Sequence, residues 1–112
     1  MNAIDEIAAE RKRQIEIEGW SVHHDDQHHD GSLSGAAACY AAHASAYQRV
    51  ASDVNLETYR SIEPRNSIDQ FGWPWAIKWW KPKDPRRDLV RAGALIVAEI
   101  ERLDRLQSSK AT

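Results

Sequence analysis

Four histidines and three aspartates fall within eight consecutive positions, His23 to Asp30, inside the stretch GWSVHHDDQHHDGSL. Neutral imidazole and carboxylate are good ligands for divalent transition metals. His24 and His28 are four apart and would share one face if the stretch were helical. Asp25 and Asp26 could add oxygen ligands. The chemistry implied is a divalent metal centre, zinc or magnesium, that activates water. Two plainer accounts stand beside it. The side chains could contact a polar ligand, or the stretch could be a solvated turn whose aspartates cap the next helix. It is no H-E-x-x-H, and no cysteine accompanies it.

A second constellation is FGWPWAIKWWKPKDPRR, residues 71–87. Trp rings offer flat faces for stacking a base, and Lys and Arg offer phosphate contacts. A helix starting at Asp84-Pro85 adds free backbone N–H groups and a positive dipole end. Stacking plus phosphate neutralisation is what a nucleotide needs. The bland account makes the tryptophans a satellite core over the helices, and the two can coexist, because an aromatic core often lines a cavity. Glu10, Arg11, Arg13 and Gln14 form a third cluster. On a wet face they are ordinary i,i+3 and i,i+4 pairs. Arg11, however, interrupts an apolar stripe, where an unpaired charge is costly. A buried partner or a bound anion would resolve that, and Glu99, in the middle of an apolar run, is the expected partner. Cys39 and His43 read as packed residues of an alanine-rich helix. No G-x-S-x-G, P-loop or G-x-G-x-x-G is present.

The elements that must position these residues are helical. Asn2 caps a first helix over about 3–18 that Gly19 terminates, with Ile4, Ile7, Ala8, Arg11 and Ile15 at helical spacing. Asp30 or Ser32 caps a second over about 33–51. Its residues Leu33, Ala37, Tyr40, Ala44, Tyr47 and Ala51 make a small-residue seam for the core or for a second subunit. Asp84 as N-cap with Pro85 behind it starts a third over about 85–107. Leu89, Ala92, Ile96, Ile100 and Leu103 form its main stripe, "ALIVA" at 94–98 should be fully buried, and 107–112 reads as a frayed tail. Residues 52–83 show no sustained period, yet hold four of the five tryptophans, so an ordered aromatic-rich connection is expected rather than a linker. The fold class is therefore mainly α, with three principal helices in a single domain over 1–112.

Composition sets further bounds. The 112 residues carry a net charge of −2, which gives no reason to expect extended nucleic acid or an anionic membrane as partner. Charge is uneven: residues 78–91 hold six basic side chains, and residues 16–30 hold five acidic ones with no Lys or Arg. No apolar run approaches the roughly 20 residues that span a bilayer. The single cysteine excludes an intramolecular disulfide and fits a reducing compartment, so a cytoplasmic address is expected.

ERKRQIEIEGWSVHHDDQHHDGSL resembles the opening of a group of small phage and prophage proteins of mostly unassigned function. Their pattern runs E-R-x-R-Q-I-x-x-E-G-W/Y, H-D-D-x-H-x-x-G-x-L, an alanine-rich helix, W-P-W/F, an aromatic pair before K-P, and R-x-L-V-K/R-A-G-A-L-I-x-A-E-I-x-R-L. Here these positions include Glu10, Arg11, Arg13, Gln14, Glu18, Gly19, Trp20, His24, Asp25, Asp26, His28, Gly31 and Leu33. Further on they include Trp73, Trp75, Trp79, Trp80, Lys81, Arg87, Arg91, Gly93, Glu99 and Arg102. His23 and His29 fall outside the pattern, which narrows the metal question to His24, Asp25, Asp26 and His28. The likeness leaves out about 45–70. RQIEIEGW, the following Asp-Asp and His, and the closing charged helix are also similar to ryanodine-receptor repeat domains, for which nucleotide-derived ligands are suspected in prokaryotic settings. The all-α NTP pyrophosphohydrolases bind magnesium through E-x-x-E on one helix and E-x-x-D on the next. Glu101 and Asp104 fit the second half, but the second helix has no carboxylate to complete the cage.

The expectation drawn from all this is non-catalytic binding of a nucleotide-like small molecule. Trp75, Trp79 or Trp80 would stack the base, and Lys81, Arg87 and Arg91 would contact phosphate. Asp25, Asp26 and His28 would meet ribose or a base edge, with no cofactor. In a phage setting the ligand would be an immune signal captured in the host cytosol. The alternatives are a metal-dependent phosphoesterase using His24, Asp25, Asp26 and His28 with zinc or magnesium, and a protein-interaction module that blocks a host factor. A homo-oligomer is expected through the alanine seam.

Overall fold

The computed structural model describes residues 2–50, 55–64 and 72–111. Its elements are α1 (Ala3–Glu16), α2 (Val22–Asp26), α3 (Ser32–Val50), α4 (Leu56–Ser61), a 3-10 turn (Ile77–Trp79) and α5 (Pro85–Ala111). There is no strand among the described residues, so the chain is mainly α with three long helices. No described helix is long and apolar enough to cross a membrane.

Local chemistry accounts for the boundaries. The Asn2 side chain accepts the Asp5 N–H at 2.8 Å and starts α1. Gly19, at φ +75°, turns the chain out of it, a conformation only glycine adopts without strain. The His/Asp stretch is not a plain loop. Ser21 caps α2 by accepting the His24 N–H at 3.2 Å, so 22–26 form a short helix that the sequence reading did not resolve. Asp30 accepts the Ser32 N–H at 3.1 Å at the start of α3, as expected of a cap. Two short elements also emerge in the long connection: α4, capped by Asn55, and the 3-10 turn. α5 keeps its helical bonds to Ala111, well past the expected stop near 107.

α3 packs mainly on α5. Leu33, Ala36, Ala37 and Tyr40 meet Ala92, Leu95 and Ala98, with Trp73 closing the cluster. The alanine seam therefore serves this chain's own core, while Ala51 lies outside the described residues. Small side chains on both helices let the backbones approach closely. That close approach overturns the expected stripe of α5. Ala92 is buried, but Ile96 is 47% exposed and Ile100 52%, with Leu89 and Leu103 similar. Ala92, Leu95 and Ala98 fill the close interface, and Ile96 and Ile100, on the other side of α5, face outward. For the same reason 94–98 is not buried all round: Ala94, Leu95 and Ala98 are, and Ile96 is not.

α1 is turned away from its expected face as well, although Arg11 of that face is buried. Its buried residues are Glu10, Arg11 and Gln14, whereas Ile4 is 78% exposed and Ile15 also faces solvent. The helix is rotated to bring its charged cluster against partners on α2 and α5. Contact with α5 is close where Ile7 lies over Gly93. A Cβ on that glycine would fall 2.9 Å from the Ile7 Cδ1 atom.

The buried residues His43, Tyr59 and Asp88 are joined by hydrogen bonds. His43 Nε2 donates to the Tyr59 carbonyl at 2.8 Å, and Tyr59 Oη donates to Asp88 at 2.6 Å. Burial and that bond push the Tyr59 hydroxyl far up, and burial raises Asp88 despite Tyr59, the Lys83 N–H and Arg91. Cys39 is buried, and burial raises its thiol, as fits a small apolar residue.

Candidate functional site

One cavity of about 620 Å³ opens where α1, α2, α3, α5 and the Trp segment converge. α1 presents Glu10, Arg13, Gln14 and, just beyond its end, Glu18. Trp20, His24 and His28 come from the α1–α3 connection. Tyr40 comes from α3, Arg91 and Leu95 from α5, and Trp73, Trp75, Trp79 and Lys81 from the Trp segment.

The wall is aromatic. Trp20 stacks on His24 with planes 6° apart and centroids at 5.8 Å. Trp75 meets Trp20 edge-on at 5.9 Å and His28 at 5.6 Å, and Trp73 stands behind Trp75 at 5.5 Å. Trp79 is 54% exposed, with the Lys78 and Lys81 ammonium groups 5.4 Å and 5.5 Å from its ring centre.

The charged floor is built on Glu10, itself 2% exposed. Arg13 grips it through Nε at 2.8 Å and Nη2 at 2.9 Å, Arg87 Nη2 donates to it, and Gln14 Nε2 donates at 3.3 Å. Burial raises the Glu10 carboxyl, but the Arg13 hydrogen bonds and the charges of Arg87 and Arg13 outweigh it, so the net direction is down. Arg13 also bonds Glu18 at 2.7 Å, and its bond to Glu10 comes first among the causes that hold its guanidinium above the ordinary value. Arg91 lies 5.2 Å over the Tyr40 ring and donates to the Lys81 carbonyl.

Two buried polar atoms on residues of this wall lack a partner. Gln14 Oε1 is an acceptor and Trp75 Nε1–H is a donor. An unmet buried polar group costs roughly 1–3 kcal/mol, so native structures keep few of them.

The structure brings together six of the residues singled out in sequence: His24, His28, Trp75, Trp79, Lys81 and Arg91. It diverts four others. Asp25 is fully buried and accepts from Arg11 at 2.5 Å, so it cannot meet a ribose. Asp26 is engaged by Arg105 at 2.8 Å. Arg87 spends its guanidinium on Glu10, beneath the cavity. Trp80 stacks on Tyr40 at 4.8 Å and donates to the Ile62 carbonyl at 2.9 Å. The expected Arg11–Glu99 pair is also replaced. Arg11 bonds Asp25 and Glu101, while Glu99 pairs with Arg102. With both aspartates spent on arginines, no group of three or more His, Cys, Asp or Glu among the described residues is placed to hold a metal. Glu101, the other candidate carboxylate, is tied to Arg11.

Sequence reasoning missed Glu10, Arg13, Gln14 and Glu18 as cavity residues, along with Trp20, Tyr40 and Trp73. A signal was present: Glu10, Arg13 and Gln14 are spaced for one helix face, and Trp20 follows directly on Gly19. Comparison with protein-family models, with curated proteins and with solved structures finds no match.

Proposed function

We propose that this chain binds a nucleotide-derived small molecule in the aromatic cavity and does not transform it. The observation that carries the reading is the pair of orphaned atoms, Gln14 Oε1 and Trp75 Nε1–H, on an aromatic wall. One acceptor and one donor suit a base edge, and Trp20, Trp75 and Trp79 offer the faces on which a base stacks. Lys81 and Arg91 supply positive charge for phosphate. The volume lies within the range of small-molecule sites, roughly 300–1,000 Å³. Asp25 and Asp26, the carboxylates that a hydrolytic metal centre would have used, are committed to arginines. The resemblance to small phage proteins extends the reading to capture of a host nucleotide signal in the cytoplasm.

The test is retention. The purified chain is mixed with mono-, di- and cyclic nucleotides, washed by filtration, heat-denatured and analysed by mass spectrometry. An intact nucleotide released only on denaturation, and lost from Trp75→Phe and Lys81→Ala variants, is expected. New products in the wash would make the chain an enzyme. No retention from the whole pool would remove the reading.

Self-association belongs to the same proposal but to another surface. Leu89, Ile96, Ile100 and Leu103 occupy an arc of about 60° on α5, and all four are exposed. A stripe at this spacing suits a second copy of the same helix.

A further inference from the structure

The imidazoles of His24 and His28 face each other across one helical turn, with Nε2 atoms 3.3 Å apart. Each ring is anchored from behind. His24 Nδ1 lies 3.4 Å from Asp25 Oδ1, and His28 Nδ1 lies 3.0 Å from Ser32 Oγ. Asp25 is in turn fixed by Arg11, and Ser32 is buried. This is the outer-shell arrangement of a metal-binding histidine: one ring nitrogen held by a carboxylate or hydroxyl, the other presented outward.

The spacing has a chemical meaning. A zinc–nitrogen bond is about 2.0–2.1 Å, so two ligands at a tetrahedral angle stand about 3.3–3.4 Å apart. The two Nε2 atoms already have that separation. Both histidines line the cavity.

We infer that His24 and His28 form a two-histidine clip for a divalent transition metal, zinc or its neighbours copper and nickel, which imidazole also suits. The remaining positions open onto the cavity and are filled by water or by oxygen atoms of its occupant. Two nitrogen ligands exclude magnesium, which demands oxygen. The clip replaces the four-residue site read from the sequence. Asp25 becomes a positioning residue behind His24, and Asp26 leaves the site. The inference stands apart from nucleotide binding, since the metal needs only the protein.

The experiment is calorimetric titration of the metal-stripped full chain with zinc chloride at pH 7.5, with magnesium chloride as control and no nucleotide present. One equivalent of zinc is expected, bound at least tenfold more tightly than by His28→Ala or His24→Ala, with magnesium giving no heat. His29→Ala, which changes an exposed histidine outside the clip, should bind like the parent. Histidine-selective nitrogen NMR of the unmutated chain supplies a readout that does not depend on how the variants fold. Zinc should shift the Nε2 resonances of His24 and His28 and leave their Nδ1 resonances nearly in place. Unmoved Nε2 signals, no binding, or undiminished binding by both alanine variants would overturn the clip.

Discussion

Asp25→Ala removes the carboxylate that holds Arg11 inside the protein. Both side chains are buried, 0% and 8% exposed, and the bond between them is 2.5 Å. Deleting one partner of a buried ion pair leaves the other charge uncompensated, at a cost of about 3–5 kcal/mol. Glu101 still holds Arg11 Nε at 3.1 Å, but its side chain is half exposed and screened by water. That residual contact places the loss at the lower end, about 3 kcal/mol. In a chain of this length each kcal/mol moves Tm by about 4 °C, so Asp25→Ala should melt about 12 °C below the parent. Differential scanning calorimetry or circular dichroism measures this directly. The double variant Asp25→Ala/Arg11→Met removes both charges and should recover part of the loss, giving a coupling of about 1–3 kcal/mol in the cycle. Had Asp25 been a ligand contact alone, binding would weaken with Tm unchanged. A Tm within about 3 °C of the parent would refute the account of α1 and α2 as joined by a buried ion pair.

Three further outcomes follow from the same geometry. Glu10 has its folded-state pKa held below the ordinary 4.5, so its contribution is present above pH 4.5 and is lost as pH falls through the folded value. Glu10→Gln should therefore melt lower at pH 7 and show a flatter decline of Tm between pH 5 and 3.5; an acid limb as steep as the parent's would contradict this. On α5, Ile100→Glu places a charge in the exposed stripe. Light scattering after size exclusion should find the parent at twice the chain mass and the variant at one chain mass, both with the same helicity; a parent monomer at high concentration removes the self-association proposal. Trp79 is the most exposed of the tryptophans, so Trp79→Phe should abolish most of the acrylamide-quenchable fluorescence and leave a blue-shifted remainder; unchanged quenching would place the accessible ring elsewhere.

The long helices were legible because their signals are local. Asn2, Gly19, Asp30 and the Asp84-Pro85 pair act within one turn of where they stand, and the structure keeps each boundary within a few residues. The short helix α2 was hidden because five residues are too few to show a period. Which side faces inward was legible on α3, where Leu33, Ala37, Tyr40 and Ala44 of the seam are buried, but not on α1 or α5. Periodicity locates an apolar stripe, but the inward face is chosen by what lies opposite. On α5, Ala92, Leu95 and Ala98 went in, and Ile96 and Ile100 came out. The cavity shows the same limit. Trp75, Lys81 and Arg91 declared themselves by residue type, while Glu10, Arg13 and Gln14 read as an ordinary wet face. Their role follows only from contacts with Arg87, some 77 positions away, and with a tryptophan wall contributed by another segment.

The turned α1 ties stability to function. A helix that buries Glu10, Arg11 and Gln14 while exposing Ile4 and Ile15 gives up apolar burial that a simple rotation would recover. What it gains is a rigid polar floor. Glu10 fixes Arg13, Gln14 and Arg87 in one network, and Arg11 reaches through Asp25 to the back of His24. The same ion pair that secures the helix therefore orients an imidazole in the cavity wall. Loosening Arg11–Asp25 should then degrade whatever the cavity holds, even though neither residue lines it. Arg11→Met/Asp25→Asn, which keeps the volume and removes the charge, separates the two effects. Its Tm should lie nearer the parent than that of Asp25→Ala, because no lone charge is buried. Its zinc affinity should still fall, because an amide no longer favours the His24 tautomer that presents Nε2 as a ligand. Parental zinc affinity in this variant would show that the histidines are oriented by packing against Trp20 and Trp75 alone.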